Sequence, residues 1–458
     1  MKAEIREEWQ GKSAAVIGLG VSNVPLIRFL RRFGVQISAR DKAPLETLGD
    51  RAAELADLGV ELVLGNGYLE GLENYDLLFL SPGIPKDLPE LTAVQGKVGF
   101  SSEIELVLRY CAAPVFGITG SSGKTTTVSL LGEMFRTSGF PTFVGGNIGT
   151  PLIEQILEIP PDARVVLELS SFQLEGLTRS PQYALVTNIS ENHLDVHHTM
   201  ASYIAAKTNI YRFQEAADWA VFNWDDPVTA RMAAASRSQV YYFSSQSQVD
   251  RGAYLQGNRL VWRDGHSDRV FADTQQIKLP GRHNVENILA AAALAHLGGA
   301  PWEAVAEVCR SFRGVEHRLE LVGERDGVRY YNDSIATTPA RATAGLRTFA
   351  EPVILLAGGY DKKLSFSQLA REIHARAKAI VLFGETAPQI EAAVLEVGDF
   401  PVYRAADMAE AVAISRAVAV PGDVVLLSPG CASFGMYRNF AERGTHFRQL
   451  VQEFLKED

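Results

Sequence analysis

Short apolar runs that stop abruptly at Gly, Ser, Asn or Asp, each followed by a stretch of helical period, recur along the whole 458-residue chain. Near the amino end they are "AAVIGLG", "VQISARD", "VELVLGN" and "DLLFLSPG". Next come "APVFGITG", "RVVLELSS", "YALVTNIS" and "WAVFN", and last "VRYYNDS", "PVILLAGG", "AIVLFG", "FPVYRA" and "DVVLLSPG". A run that is apolar at every position is a strand buried on both faces, and parallel sheets covered by helices bury strands in that way. The pattern predicts an α/β chain of three consecutive domains with mostly parallel, doubly wound sheets, the first and last Rossmann-like and the central one of P-loop ATPase type. The expected domains are 1–103, 104–313 and 314–458. The polar, poorly periodic stretch from about Gln239 to Gly281 predicts a small antiparallel appendage. Ligands of such sheets bind beyond the carboxyl ends of the strands, which is where the polar punctuation lies.

A net charge of −10 and a pI near 5.5 leave no global basic field for nucleic acid. No apolar run reaches the ~18–20 residues of a membrane helix, so no membrane insertion is expected. The start, "MKAEIREEWQGK", has no apolar core of a signal peptide. Cys111, Cys309 and Cys431 are far apart and odd in number, which suits free thiols in a reducing compartment. A cytoplasmic monomer acting on small molecules is the expectation.

"FGITGSSGKTTT" carries the most specific chemistry. Glycines at 117, 120 and 123 precede Lys124 and Thr125 between a strand and an amphipathic helix. Glycines let backbone approach phosphate oxygens, and a helix amino terminus offers unpaired N–H groups. Lys124 would reach the terminal phosphates, and the Thr125 hydroxyl would ligate magnesium. The position that is glycine in the usual Walker pattern is Ile118 here. The bland alternative is a glycine turn capped by Thr125. "RVVLELSSFQLE" delivers Glu168 at a strand end, a magnesium ligand if it stands beside the loop and otherwise a salt bridge or cap.

Further polar residues follow the same strand-end logic. "TNISENHLDVHH" holds His193 and Asp195, with His197 and His198 read as hydrogen-bonded turn residues. Lys207 in "YIAAKTNIY" is a solvated helix lysine, or a buried one of lowered pKa. In "LPGRHNVENILAAAALAHLG" Asn284 reads as an N-cap, whereas Asn287, one turn on, has no capping reason. Arg318 offers a fork of donors for phosphate, and Asp333 ends a strand. Lys362 and Lys363 follow a glycine pair, and Ser433, Phe434 and Phe440 follow the last strand as ligand contacts or as caps and core aromatics. Gly18-x-Gly20-x-x-Asn23 is half of a dinucleotide fingerprint with Asp41 after the next strand, but no hydride-transfer residues accompany it.

The shifted motif Gly117-x-x-Gly120-x-x-Gly123-Lys124-Thr125, with E-x-S-S-F-Q-L, N-H-L-D, H-N-x-x-N, H-R-x-E and N-D-S in order behind it, resembles the Mur ligase family and its folylpolyglutamate synthetase relatives. The resemblance implies an ATP-dependent amide ligase working through an acyl phosphate, with ATP and Mg2+, in peptidoglycan precursor synthesis. It is greatest for the members that add D-glutamate to UDP-N-acetylmuramoyl-L-alanine. By this resemblance Lys124, Glu168, His193, Lys207 and Arg318 are catalytic, and Thr125, Glu168, His193 and a carbamylated Lys207 hold magnesium. ATP falls to Gly120, Ser121, Ser122, Gly123, Lys124, Thr125, Thr126, Asn287, Arg318 and Asp333. The UDP-substrate falls to Gly20, Val21, Ser22, Asp41, Lys42, Gly83, Asn147, Ser170 and Gln173, and the amino acid to Thr337, Lys362, Ser433, Phe434 and Phe440. Closure of a hinge near 313 before chemistry is expected. Two departures stand out: Ser121-Ser122 replaces a pair ending in Asn, and Ile335 stands where many D-glutamate-adding members have lysine. The alternatives are another amide-adding step of the family, a P-loop ATPase switch, and a non-catalytic NAD-binding protein.

Overall fold

The computed structural model describes every residue except Met1, Val21, Gly49, Asn192, His193, Pro280, Lys362, Lys363, Glu457 and Asp458, and describes no side chains at 46, 47, 50–53, 194 and 195. It divides into two compact units, Met1–Phe312 and Arg313–Asp458.

The first unit opens with β1 (Ser13–Ile17), β2 (Gln36–Asp41), β3 (Glu61–Leu64), β4 (Leu77–Leu80) and β5 (Gly99–Ser101). They form one parallel sheet in the order β3-β2-β1-β4-β5. Ala14, Ala15, Val16 and Ile17 are fully buried because β1 is central and covered on both faces. The chain order reverses between β1 and β4, so the turn at Gly18–Gly20 lies at a topological switch point.

The same unit holds a nine-stranded sheet: β6 (Val115–Thr119), β7 (Thr142–Gly146), β8 (Arg164–Glu168), β9 (Tyr183–Val186), β10 (Trp219–Asn223), β11 (Gln239–Ser244), β12 (Arg251–Gln256), β13 (Arg259–Asp264) and β14 (Asp268–Asp273). Its order is β14-β13-β12-β11-β10-β9-β6-β8-β7. The expected appendage is corrected here. β11 runs parallel to β10 and β12 parallel to β11, and only the β12–β13–β14 meander is antiparallel. The segment is the far edge of the central sheet. It reads as polar because its turns are, while Tyr241, Trp262 and Phe271 on its inner face join one aromatic cluster with His296 and Trp302.

The second unit contains β15 (Glu320–Arg325), β16 (Val328–Asn332), β17 (Val353–Gly358), β18 (Ala377–Phe383), β19 (Val402–Arg404) and β20 (Val424–Leu427), in the order β15-β16-β20-β17-β18-β19. All pairs but β15–β16 are parallel. The α/β reading with mostly parallel sheets holds throughout. β5, β7 and β15 have no counterpart in the expected runs, being short, glycine-bearing or polar.

Cys309 and Cys431 are buried, Cys111 is half-buried, and all three are free. Among the described residues, no helix is long and apolar enough to cross a membrane.

Gly117 lies inside β6, fully buried, and a Cβ there would stand 2.6 Å from Pro181 Cγ and 3.1 Å from Leu169 Cδ1. It is a packing glycine rather than part of a phosphate cradle. Gly117→Ala should therefore lower the thermal unfolding midpoint, at a cost of ~1–3 kcal/mol for overpacking, while nucleotide affinity of the folded protein stays unchanged.

Candidate functional site

The turn after β6 is built from both sides. β6 ends at Thr119, and the helix Lys124–Thr137 begins with Gly123 as its N-cap at φ 81°. Gly120 has φ 148°, and a Cβ there would collide with Thr187 Oγ1; a Cβ at Gly123 would collide with Asn287 Oδ1. Both positions thus require glycine on steric as well as conformational grounds. Ser121 N and Ser122 N donate to Asn188 O (2.8 Å) and Asn188 Oδ1 (2.9 Å). Thr187 Oγ1 donates to Ser122 O at 2.7 Å, and Ser121 Oγ donates to Ser190 O at 3.0 Å. The segment after β9 is therefore the outer wall of the loop. Thr126 lies half-buried on the first turn of the helix.

Behind the loop, Thr125 Oγ1 donates to Glu168 Oε2 at 2.8 Å, and Asn147 Nδ2 donates to Glu168 Oε1 at 2.8 Å. Glu168, the last residue of β8, is buried. A hydroxyl and a carboxylate on one side of a helix amino terminus are hard oxygen donors, the set that magnesium takes. The glycine cradle leaves no room for a Cβ, which is the other requirement of a phosphate site. The residues present fit ATP and Mg2+. Among the described residues no group of three or more His, Cys, Asp or Glu could by itself hold a metal; His193 lies outside those residues.

Lys207, on the helix Met200–Thr208, is 1% exposed. Its Nζ donates to Gly120 O at 3.0 Å and to Thr119 Oγ1 at 3.2 Å. Lys124 Nζ donates to the same Gly120 carbonyl at 2.8 Å and to Ser121 O at 3.2 Å. Two lysine Nζ atoms thus converge on one oxygen. Burial, with Lys124 beside it, pushes the Lys207 amine down to about 7, although Glu168 pulls the other way. Tyr203 carries the Lys207 Nζ 4.7 Å from its ring centroid and hydrogen-bonds Ser121 Oγ at 3.0 Å. His197 is buried against Ser171 Oγ (2.9 Å) and stacks on Phe172, whereas His198 is exposed near Asp87.

Asn284 is not an N-cap: Gly281 caps the helix Arg282–Leu297, and Asn284 lies within its first turn, accepting from Asn287 Nδ2 at 3.1 Å. Asn287 Oδ1 in turn accepts from Thr127 Oγ1 at 3.3 Å. The alanine run Ala290–Ala293 of this helix is wholly buried, and its small side chains let it lie close to Lys124–Thr137.

Within the first unit a cleft of about 200 Å3 is lined by Ser22, Lys86, Glu103, Phe172 and Gln173 among others. Gln173 Oε1 accepts from both the N–H and the hydroxyl of Ser170, a reciprocal helix cap. Asp41 accepts from Leu19 N at 2.6 Å and Ala43 N at 2.8 Å, so it braces the Gly18–Gly20 turn. Lys42 is exposed, and a Cβ at Gly83 would meet nothing within 4 Å. Gly20 also has space for a Cβ, but Gly18, at φ 86°, does not. Val21 lies outside the described residues. Lys86 was not expected from sequence. It contacts the Glu175 carbonyl, and burial lowers its pKa.

In the second unit Arg318 sits between two left-handed residues, His317 (φ 62°) and Leu319 (φ 44°). Such backbone persists only where surroundings enforce it. His317 is held by Asn332 Nδ2 at 2.9 Å, and its own N–H donates to Glu320 Oε2 at 2.8 Å. Asp333 is enclosed, accepting from Ser428 Oγ (2.8 Å) and Leu319 N (3.3 Å), and burial pushes it up to about 7. Ser433 is buried, Phe434 is exposed, and Phe440 packs edge-on to His317. Thr337 is half-buried. Lys362 and Lys363 lie outside the described residues.

A strand, a glycine turn that no Cβ could enter, and a helix opening on Lys-Thr beside a buried carboxylate define a P-loop nucleotide-binding protein built on three α/β sheets. Three family descriptions match the chain: Mur ligase MurD-like, N-terminal domain over 12–99, Mur ligase middle domain over 118–295, and Mur ligase, glutamate ligase domain over 317–431. The UDP-N-acetylmuramoylalanine–D-glutamate ligase of Symbiobacterium thermophilum is 54% identical, over 96% of this chain and 97% of its own length. The protein of that name from Acetivibrio thermocellus is 43% identical over 98% of each chain. The solved UDP-N-acetylmuramate-alanine ligase of Thermotoga maritima shares the fold at 18% identity, covering 97% of this chain and 100% of that one, with a TM-score of 0.55. The chain belongs to the Mur ligase family.

The pH dependence of stability follows from Lys207. Below about pH 7 its amine is charged in both the folded and the unfolded chain. Between that pH and the ordinary lysine value of about 10.4, only the unfolded chain holds the extra proton. The wild type should therefore gain stability relative to Lys207→Met as pH rises from 7 to 9.5 in CO2-free buffer. Paired thermal unfolding curves check this, and a difference constant with pH would contradict it.

Proposed function

We propose that this chain is an ATP-dependent amide ligase that adds D-glutamate to UDP-N-acetylmuramoyl-L-alanine, forming ADP and phosphate, in peptidoglycan precursor synthesis. Its full-length likeness to ligases bearing that name carries the choice of substrates; the loop geometry supplies the chemistry. The division into 1–103 for the UDP-substrate, 104–313 for ATP and 314–458 for the amino acid belongs to the same reading. So does a cytoplasmic monomer whose partners are small molecules.

A carboxylate oxygen of the substrate attacks the γ-phosphorus, and the bond from that phosphorus to the bridging oxygen breaks to release ADP. Lys124, at the mouth of the glycine turn, and Arg318 draw off the charge that accumulates on the transferring group. Thr125 and Glu168 would hold magnesium, with His193 and Lys207 for a second ion, and the metal would neutralise charge on phosphate and carboxylate. The amine of D-glutamate then adds to the acyl carbon and loses a proton, and the carbon–oxygen bond to phosphate breaks. Gly120, Ser121, Ser122, Gly123 and Thr126 shape the phosphate loop, with Asn287 and Asp333 assigned to the nucleoside. Ser22, Asp41, Lys42, Gly83, Asn147, Ser170 and Gln173 are assigned to the UDP-substrate, and Thr337, Lys362, Ser433, Phe434 and Phe440 to the amino acid.

A neutral Lys207 amine can add to CO2, losing a proton and becoming a carbamate. That change would replace the repulsion between Lys207 and Lys124 by attraction. An ATPase switch has no use for such a group, which is why a ligase is the better reading.

Product mass tests the reaction. With ATP, magnesium and UDP-N-acetylmuramoyl-L-alanine, a D-glutamyl adduct should form with one ADP and one phosphate, and L-glutamate should give none. ATP hydrolysis with no adduct from any acceptor would move the reading to a switch. Lys207→Ala should lose about 10²–10³ in kcat, the scale for losing one electrostatic contributor. Partial rescue by short-chain carboxylic acids is expected, and full activity without rescue would remove Lys207 from the site.

A further inference from the structure

Three loops leave the carboxyl ends of the central strands of the second unit and are bonded into one platform. Gly430 N donates to Ala336 O (2.8 Å), Gly358 N to Pro429 O (2.9 Å) and Tyr360 N to Ala432 O (2.9 Å). Arg443, wholly buried, fastens the platform from beneath, donating to Ser334 Oγ and Ser334 O and to the carbonyls of Cys431 and Ala432. On its surface Tyr360 and Phe434 form an exposed edge-to-face pair with centroids 6.0 Å apart. Ile335 occupies the loop after β16 and brings no charge.

Arg341 stands beside that loop, in the first turn of the helix Pro339–Leu346. This turn contains no acidic residue, so the cation faces the positive end of the helix dipole, an unfavourable place for it. Its side chain is exposed and turned back, with Nη1 donating to Ile335 O at 3.3 Å. One of five guanidinium donors is accounted for by that bond. Among the described residues no carboxylate forms an ion pair with it. Two guanidinium charges, Arg318 and Arg341, are felt at the enclosed Asp333. Arg318 has the nucleotide phosphate as its assigned partner; Arg341 has none.

We propose that Arg341 is the specificity-determining cation for the amino-acid substrate, receiving the side-chain carboxylate of D-glutamate at the position where Ile335 offers none. This rests on the reaction proposed above. A guanidinium fork suits a planar carboxylate through two parallel hydrogen bonds, and its tether to the Ile335 carbonyl orients it before the substrate arrives. An acceptor amino acid with a neutral side chain would leave the fork unmatched and gain nothing from it.

Steady-state kinetics with Arg341→Met, Arg341→Lys and Ile335→Lys/Arg341→Met test the assignment, each variant first checked by its unfolding midpoint. Arg341→Met should raise KM for D-glutamate about 10- to 100-fold, the range for losing a hydrogen bond to a charged group. KM for ATP should stay within about twofold, and Arg341→Lys should recover part of the loss because it keeps the charge but not the fork. The double variant should recover most of it by restoring a cation beside the same loop. An unchanged KM for D-glutamate in folded Arg341→Met, or an equal rise in KM for ATP, would overturn the role of Arg341 alone. Absence of any D-glutamyl adduct from the wild type would overturn the reaction reading and this assignment together.

Discussion

The first unit is organised around the carbonyl of Gly120. Lys124 and Lys207 both donate to it, one from the helix that follows and one from a helix more than eighty residues later. Burial, and after it the like charge of Lys124 beside it, push the Lys207 amine down to about 7. The arrangement requires Gly120 at a φ that L side chains rarely adopt, Thr187 pressed against it, and the segment after β9 holding Ser121 and Ser122 in place. Three parallel strands, β8, β6 and β9, bring these pieces to one edge. The glycines, the lysines and the strand order are thus one requirement seen at three scales.

Much of this was legible in the sequence, for physical reasons. Strands buried on both faces read as continuous apolar runs, so the main parallel strands stood out, while β5, β7 and β15, short, glycine-bearing or polar at the rim, did not. The loop was legible because phosphate chemistry demands glycine and lysine at fixed offsets. The same logic does not reach Gly117, where packing against Pro181 and Leu169 requires glycine. Asn284 looked like a cap because Asn favours caps, yet Gly281 starts the helix and Asn284 is spent orienting Asn287. Thr187, Asn188 and Tyr203 gave no signal, since a turn of Thr and Asn after a strand is common and only the fold brings it beside the loop. Lys86 was hidden likewise: nothing local distinguishes a cleft lysine from a surface one.

The second unit concentrates strain where its chemistry is assigned. Arg318 is presented by a turn with left-handed residues on both sides, and His317 within it is locked by Asn332 and Glu320. Asp333 is wedged against Gly345, where a Cβ would come within 2.8 Å of its Oδ2. Neither can be read from residue types: the left-handed turn leads into β15, which doubles back antiparallel on β16, and the wedge needs the helix Pro339–Leu346 folded against the end of β16.

The two lysine-bearing elements of the first unit and the arginine-bearing loops of the second solve the same problem in opposite ways. In the first, burial pushes a lysine amine down to about 7, so that its proton is easily lost. In the second, guanidinium groups are used, which do not deprotonate in proteins, and their orientation rather than their charge is adjusted. Arg443 is buried and satisfied by oxygens on every side, Arg318 is presented by strained backbone, and Arg341 is tethered by one carbonyl. A lysine in the buried place of Arg443 would shift its pKa toward neutrality and lose the charge that the place requires. The choice of residue type at each cation therefore follows from whether the site needs a permanent charge or a proton that can leave.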